Sequence, residues 1–452
     1  MGSLATFLVL VVVALLGGGT YMFARYLARR ALLESIETKL FLVRIPKPKG
    51  DNQPNTDYKN EVNIFEQFIS RLSSFRRPFT CEAAVHHIGE EIHFYIAVHR
   101  GYADHVIKTI HGLWNNASIS EVSSDYNIFN PEGSAVAAWV QQAEHFALPI
   151  RTYPNLETDP LFPFLGGFAK IREVGEGAAI QVILRPAASN VKAKIQHYLR
   201  ALRQGVPLPR ALRATSPPGL REVSVALSPK RLQEEEEKKQ QGVDEEAIKL
   251  LEEKIAKPLF EVNVRVVASA PTAREAQDIL EGLTGSFGQF AAPTRNGLKV
   301  VVPRNQSTLI NAFIFRKFSR RQTMLLNSEE IASLYHFPTS FTEAPKVKWL
   351  KAKEAPPPPV LPTEGVLIGE NIFRGAAEPV YITDKDRERH VYIIGQTGTG
   401  KSTLMGNMIV DDIHRGKGVA IIDPHGEFCE YALAHIPKER IEDVIYFDPG
   451  DT

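Results

Sequence analysis

Near the end of the chain, Gly395, Gln396, Thr397, Gly398, Thr399, Gly400, Lys401, Ser402 and Thr403 have the types and spacing to hold a polyphosphate. They fit the pattern Gly-x-x-x-x-Gly-Lys-Ser/Thr. Glycines let backbone N–H groups close around phosphate oxygens, where side chains would block the approach. A helix starting at the loop adds partial positive charge at its N-terminus. Lys401 can reach the β- and γ-phosphates, and the Ser402 hydroxyl can ligate Mg²⁺. ATP and Mg²⁺ are therefore the expected cofactors, with Ser402 as the metal ligand. A second acid-bearing stretch, "GVAIIDPHGEF" (418–428), follows. Asp423 ends an apolar run, where open α/β sheets bind ligands. It can serve as an auxiliary catalytic acid, with Glu427 orienting water or sensing phosphate. Equally, it can be an Asp-Pro turn that caps the next helix.

Local pattern supplies the elements that would hold these groups. "HVYII" before the loop reads as a buried strand, and "STLMGNMIVDDIHRG" after it as a helix closed by Gly416 and Gly418. The expected fold class is α+β followed by α/β: an N-terminal transmembrane helix, two ferredoxin-like βαββαβ units, then the start of a RecA-like P-loop domain. The uncharged run 4–24 is followed by Arg25, Arg29 and Arg30. About 20 apolar residues suffice to span a bilayer, and the flanking charge predicts a single pass with the N-terminus outside and the bulk cytoplasmic. Residues 1–30 would thus form the anchor of an inner-membrane protein.

Residues 36–125 read strand–helix–strand–strand–helix–strand, a ferredoxin-like unit. Residues 143–304 repeat the pattern, opening on a strand at 145–153 and interrupted by a charged helical insertion at 190–257. Thr272 and Glu275 form a capping-box signature within that unit. Residues 305–363 connect to the motor through the stiff "APPPPVLP" linker, and 364–452 begin the P-loop domain. "FRKFSRR" (315–321) offers cations among aromatics, suited to single-stranded nucleic acid or anionic lipid, or simply to a solvated surface.

Composition narrows the classes. The chain has 452 residues, 53 Lys plus Arg against 52 Asp plus Glu, and 44% hydrophobic residues. The apolar content supports packed cores in several domains. Cys81 and Cys429 are its two cysteines. That excludes a disulfide scaffold and suits a reducing compartment.

"YIIGQTGTGKSTL", "VAIIDPHGE" and "IPKERIEDVIYFDPGD" together resemble the HerA–FtsK superfamily of P-loop ATPases, within it the type IV secretion and conjugation ATPases, including coupling proteins. "MLLNSEEIASLYHFP" (324–338) and "GVLIGEN" (365–371) are similar to segments that precede the motor in such proteins. The resemblance implies an oligomeric ring, often a hexamer, that hydrolyses ATP to move DNA or protein through a membrane alongside other secretion components. It assigns Gly395 to Thr403 to the nucleotide cradle, and Lys401, Asp423 and Glu427 to catalysis. The family's Walker B strand, sensor and arginine finger lie beyond the residues present, which implies an incomplete motor with little turnover alone. The alternative is a non-enzymatic membrane adaptor that retains a nucleotide-binding loop. A GTPase is disfavoured, since no Asn-Lys-x-Asp motif occurs.

Overall fold

The computed structural model describes residues 37–46, 57–172, 174–213, 244–342, 346–347, 349, 356–358, 360–373, 376–396, 398–424 and 426–448, with the isolated Gly18 and Met22. The chain divides into two units, Met1–Ala352 and Lys353–Thr452.

The first unit begins with β1 (Thr38–Arg44), α1 (Tyr58–Arg71), β2 (Phe79–Val85), β3 (Ile92–His99), α2 (Ala103–Leu113) and β4 (Ser118–Val122). Asp57 starts α1 by accepting from the Lys59 N–H (3.1 Å), and Val62, Phe65, Phe68 and Ile69 form its buried face. Next come β5 (Ser134–Gln142), α3 (Phe162–Ala169), β6 (Gly177–Pro186), α4 (Ser189–Arg203), α5 (Leu208–Arg213), α6 (Glu245–Ala256), β7 (Leu259–Ala270), α7 (Ala273–Thr284) and β8 (Leu298–Val301). The unit closes with α8 (Gln306–Ile314), β9 (Met324–Asn327) and α9 (Ser328–Leu334). The Thr272 and Glu275 box closes on α7, each side chain accepting from the other's backbone N–H at 3.1–3.2 Å.

These strands form one nine-stranded antiparallel sheet, ordered β4-β1-β3-β2-β6-β7-β5-β8, with β9 on β7. The expected fold class is corrected here. The two separate ferredoxin-like units give way to a continuous sheet, because β2 pairs with β6 along its length, from Phe79↔Leu184 to Val85↔Ala178. Two edges that would each expose unpaired N–H and C=O groups satisfy one another. The second half opens at Ser134, earlier than the expected strand at 145–153. The membrane helix is also corrected. Among the described residues no helix is long and apolar enough to cross a membrane. The run 4–24 lies outside them apart from Gly18 and Met22. A span needs about 20 contiguous apolar helical residues, and no described helix supplies them, which overturns the expected single-pass, N-out placement.

The main core lies on one face of the sheet, where residues such as Phe65, Phe68, Phe168, Leu280 and Ile331 pack against Val182, Val264 and Val266. On the other face Leu309 and Phe313 of α8 pack with Ala137, Ala179 and Val267, and beside this apolar cluster lies a buried polar network. The buried Arg265 donates to Gln181 (3.0 Å) and to the Ala312 carbonyl (2.8 Å). Gln181 donates to Glu82 (2.7 Å), and Arg316 pairs with Glu82 (2.9 Å) and Asp125 (2.7 Å). One cation of the 315–321 run is thus turned inward, while Arg320 and Arg321 are exposed. The insertion builds a satellite core from Ile195, Tyr198, Leu199 and Leu202 of α4 with Leu251 of α6. Residues 214–243 of it lie outside the described residues.

The second unit begins with an antiparallel hairpin of β10 (Val366–Phe373) and β11 (Ala376–Ile382). Then come α10 (Asp384–Arg387), α11 (Lys401–His414) and α12 (Glu427–Leu433). The stretches 391–396, 417–423 and 444–448 form neither helix nor sheet strand, so the strand expected at "HVYII" is not present. Their apolar side chains are open: Tyr392 is 88% exposed, Ile422 98% and Ile445 94%.

Candidate nucleotide-binding site

The loop expected to hold phosphate is drawn together around one carbonyl. The Gln396 oxygen accepts from the Thr399 hydroxyl (2.7 Å), the Thr399 N–H (3.3 Å) and the Lys401 ammonium (2.7 Å). Gly398 (φ +79°) and Gly400 (φ +89°) take left-handed backbone, which costs an L-residue roughly 1–2 kcal/mol. Gly395 is constrained by space: a Cβ there would sit 2.6 Å from Thr399 Oγ1 and 3.4 Å from Lys401 Cγ. Thr397 lies outside the described residues.

Gly400 is the N-cap of α11, and no side chain caps that helix. The N–H groups of Lys401, Ser402 and Thr403 have no intrahelical acceptor by helix geometry. They open on the loop, and Ser402 and Thr403 are exposed. Glycines that admit close approach, free-ended helix N–H groups, an ammonium and a hydroxyl make a donor set that fits a polyphosphate with Mg²⁺.

Asp423 does a different job. Its Oδ2 accepts from the Phe428 N–H (2.9 Å), so it caps the first turn of α12, where Gly426 (φ +81°) makes the turn into the helix. Glu427 is the first residue of α12 and is exposed. Of the two roles open to Asp423 in the sequence, the Phe428 hydrogen bond is that of the helix cap. Helices α11 and α12 meet closely at Gly406, where a Cβ would lie 2.9 Å from the Tyr431 ring. Beside them a cleft of about 470 Å³ has a mixed lining, with Ile413, Val419 and Leu433 facing the same space as Lys417, Asp423 and Arg440.

Sequence reading missed the charges that fix the far end of α11. Arg387 of α10 grips Asp412 with two hydrogen bonds (2.5 and 2.7 Å). That hydrogen bonding to Asp412 raises the Arg387 pKa. Asp384 binds Lys417 and faces Arg415 at 3.6 Å. The Lys417 hydrogen bond, more than the nearby charges, holds the Asp384 carboxyl below its ordinary pKa. Arg440 donates to the carbonyls of Ile413 (2.7 Å) and Lys417 (3.2 Å). The visible signal was "DKDRER" and "IPKER", basic residues beside helix ends, where cations favour the dipole.

Comparison with known families places two matches on the chain. Residues 83–350 match the family described as Domain of unknown function (DUF8128). Residues 366–451 match Helicase HerA, central domain. Comparison with curated proteins finds no match. The second match supports a HerA–FtsK P-loop ATPase relationship, and with it nucleotide and Mg²⁺ use in general. It begins at 366, so the stretch 324–338, which also resembled the segment before such motors, falls within the first family's span.

Proposed function

We propose that this chain, which belongs to the DUF8128 family, binds ATP with Mg²⁺ at Gly395 to Thr403. Assembled into an oligomeric ring, it hydrolyses the nucleotide to move a DNA or protein polymer, as type IV secretion and conjugation ATPases do. One observation carries the nucleotide reading: the glycine loop is closed on the Gln396 carbonyl and runs directly into an uncapped helix N-terminus.

Within that reading, the first-turn N–H groups of α11 receive phosphate oxygens. Lys401 exchanges the Gln396 carbonyl for the β- and γ-phosphates. Ser402 would hold Mg²⁺ through its hydroxyl, and the ion would supply charge neutralisation for the transferring phosphoryl group. Glu427, exposed at the start of α12, is the nearer candidate for orienting water, since Asp423 is engaged as a helix cap. That same cap favours the second reading, a docking subunit that keeps a nucleotide-binding loop without turnover.

Fluorescent ATP titration with and without Mg²⁺, run beside steady-state hydrolysis, tests both. Binding that depends on Lys401 supports the loop assignment. Binding without hydrolysis under assembling conditions favours the docking subunit. If Lys401→Ala binds ATP as the parent does, the loop is not the site.

A further inference from the structure

The chain is nearly neutral overall, with 53 basic and 52 acidic side chains, yet its charge is unevenly placed. Between 187 and 213 stand Lys192, Lys194, Arg200, Arg203, Arg210 and Arg213, without one carboxylate. Most of this stretch is α4 and α5. Along α4, Lys192, Gln196, Arg200 and Arg203 recur at helical spacing and are all exposed. At 1.5 Å per residue the stripe runs about 16 Å. That equals roughly five phosphate steps of one duplex strand, at about 3.4 Å of rise each. Lys194 lies on the other flank, over the Phe146 ring at 5.2 Å.

We propose that the outer face of α4 is a docking surface for the phosphate backbone of duplex nucleic acid. The charge is of the required sign, and Gln196, between Lys192 and Arg200 on the stripe, is a hydrogen-bonding side chain, as are Ser189 and Gln204 at its two ends. Backbone contacts of this kind position a duplex without reading its sequence. Arg203 already pairs with Glu252 (2.6 Å), but both groups are largely exposed. Exposed pairs are worth at most about 1 kcal/mol, so phosphate can displace the carboxylate. An anionic membrane is the less fitting partner. Surface helices that bind bilayers bury an apolar face in the lipid. The apolar face of α4 is already spent: Ile195, Tyr198, Leu199 and Leu202 are each at most 5% exposed, packed in the satellite core.

The test uses the whole chain and a fluorescein-labelled duplex of mixed sequence, followed by anisotropy between about 50 and 200 mM salt. Lys192→Gln/Arg200→Gln/Arg203→Gln should weaken binding at least tenfold at the low-salt end. It should also flatten the log K against log salt slope by about 2–3, at roughly 0.9 per phosphate contact. A control, Lys108→Gln/Lys170→Gln/Lys299→Gln, removes the same charge from exposed sites elsewhere and should change affinity less than twofold. Titration with fluorescent ATP in parallel should be the same for all three proteins, which separates this surface from the nucleotide loop. The proposal is overturned if the parent chain does not bind duplex, or if the α4 variant binds like the parent. It is equally overturned if both variants lose affinity alike, or if phosphatidylserine vesicles are bound and duplex is not.

Discussion

A single methyl group at Gly395 should separate the phosphate cradle from the rest of the unit. The added Cβ would meet Thr399 Oγ1 at 2.6 Å, closer than such atoms approach, so the threonine must swing away. Its hydroxyl and N–H both donate to the Gln396 carbonyl, and both bonds are exposed to loss. Two hydrogen bonds of about 0.5–1.5 kcal/mol each give about 1–3 kcal/mol of loop closure. That predicts ATP affinity about 5- to 150-fold weaker for Gly395→Ala. The loop is exposed and contributes little to the core, so the unfolding midpoint should hardly move. The sharper expectation is rescue. Gly395→Ala/Thr399→Ala removes the atom the methyl strikes, so the double variant should bind better than Gly395→Ala alone, with a coupling energy above about 0.5 kcal/mol. Fluorescent ATP titration of the parent, both single variants and the double variant gives the full cycle. Additive losses, with no rescue, would refute the steric reasoning. Unchanged affinity in Gly395→Ala would refute the cradle itself.

Other perturbations read different parts of the molecule. Asp423→Ala should cost about 1 kcal/mol of stability in the second unit through the lost cap, whereas Asp423→Asn retains it; if Asn abolishes hydrolysis at unchanged melting, the acid is catalytic after all. Lys254 and Glu330 are both fully buried and 2.8 Å apart. Lys254→Met, which strands the carboxylate, should lower unfolding free energy by about 3–5 kcal/mol, and Lys254→Met/Glu330→Gln should recover part of that in urea titrations. Acid should weaken the first unit through Asp159. Burial works to raise its pKa, but His336 (2.9 Å) and Thr339 (2.8 Å) outweigh it and hold it below the ordinary value. A depressed carboxyl contributes stability that is present above its unfolded pKa, about 3.9, and is lost as pH falls through the lower folded value. Urea midpoints should therefore drop below about pH 4, and His336→Phe should shrink that drop, because the folded pKa of Asp159 returns toward its unfolded value.

What the sequence made legible was local. The phosphate loop depends on glycines at fixed offsets, and the Thr272 and Glu275 box on a spacing of three, so both could be read from a few adjacent residues. The start of the second half could not. "SAVAAWVQQ" forms β5, but alanine is a weak strand former. "HFALPIRTY" looked more strand-like, yet it contains Pro149, and its Ile150 N–H donates to the Glu330 side chain at 2.9 Å instead of to a neighbouring strand. The merger of the halves is a long-range event: Glu82 faces Gln181 across the β2–β6 ladder, and nothing near either residue announces the pairing. Nor could the inward turn of Arg316 be seen in a run of cations, since its partners Glu82 and Asp125 lie far upstream. Asp423 was left with two readings because a capping acid and a catalytic acid look the same in a strand–turn–helix sequence.

The phosphate-binding helix is held mainly by its ends. At the start of α11, left-handed Gly400 and the Gln396 carbonyl set where the first N–H groups point. At its far end, Arg387 on Asp412 and Arg440 on the Ile413 carbonyl fix position and complement the dipole. Between them its core is thin: Gly406, Met408, Asp412 and Ile413 are its buried residues, and Gly406 is small so that Tyr431 of α12 can come close. Its contacts at both ends and at Gly406 join three neighbouring elements to this one helix. Lys401, the first residue of α11, is thereby connected to α12 through Gly406 and to α10 through Asp412. Glu427 at the start of α12 and the hairpin that leads into α10 therefore each adjoin an element that α11 touches, so substitutions at Gly406 or Asp412 should disturb the loop at the start of α11 as well as these neighbours.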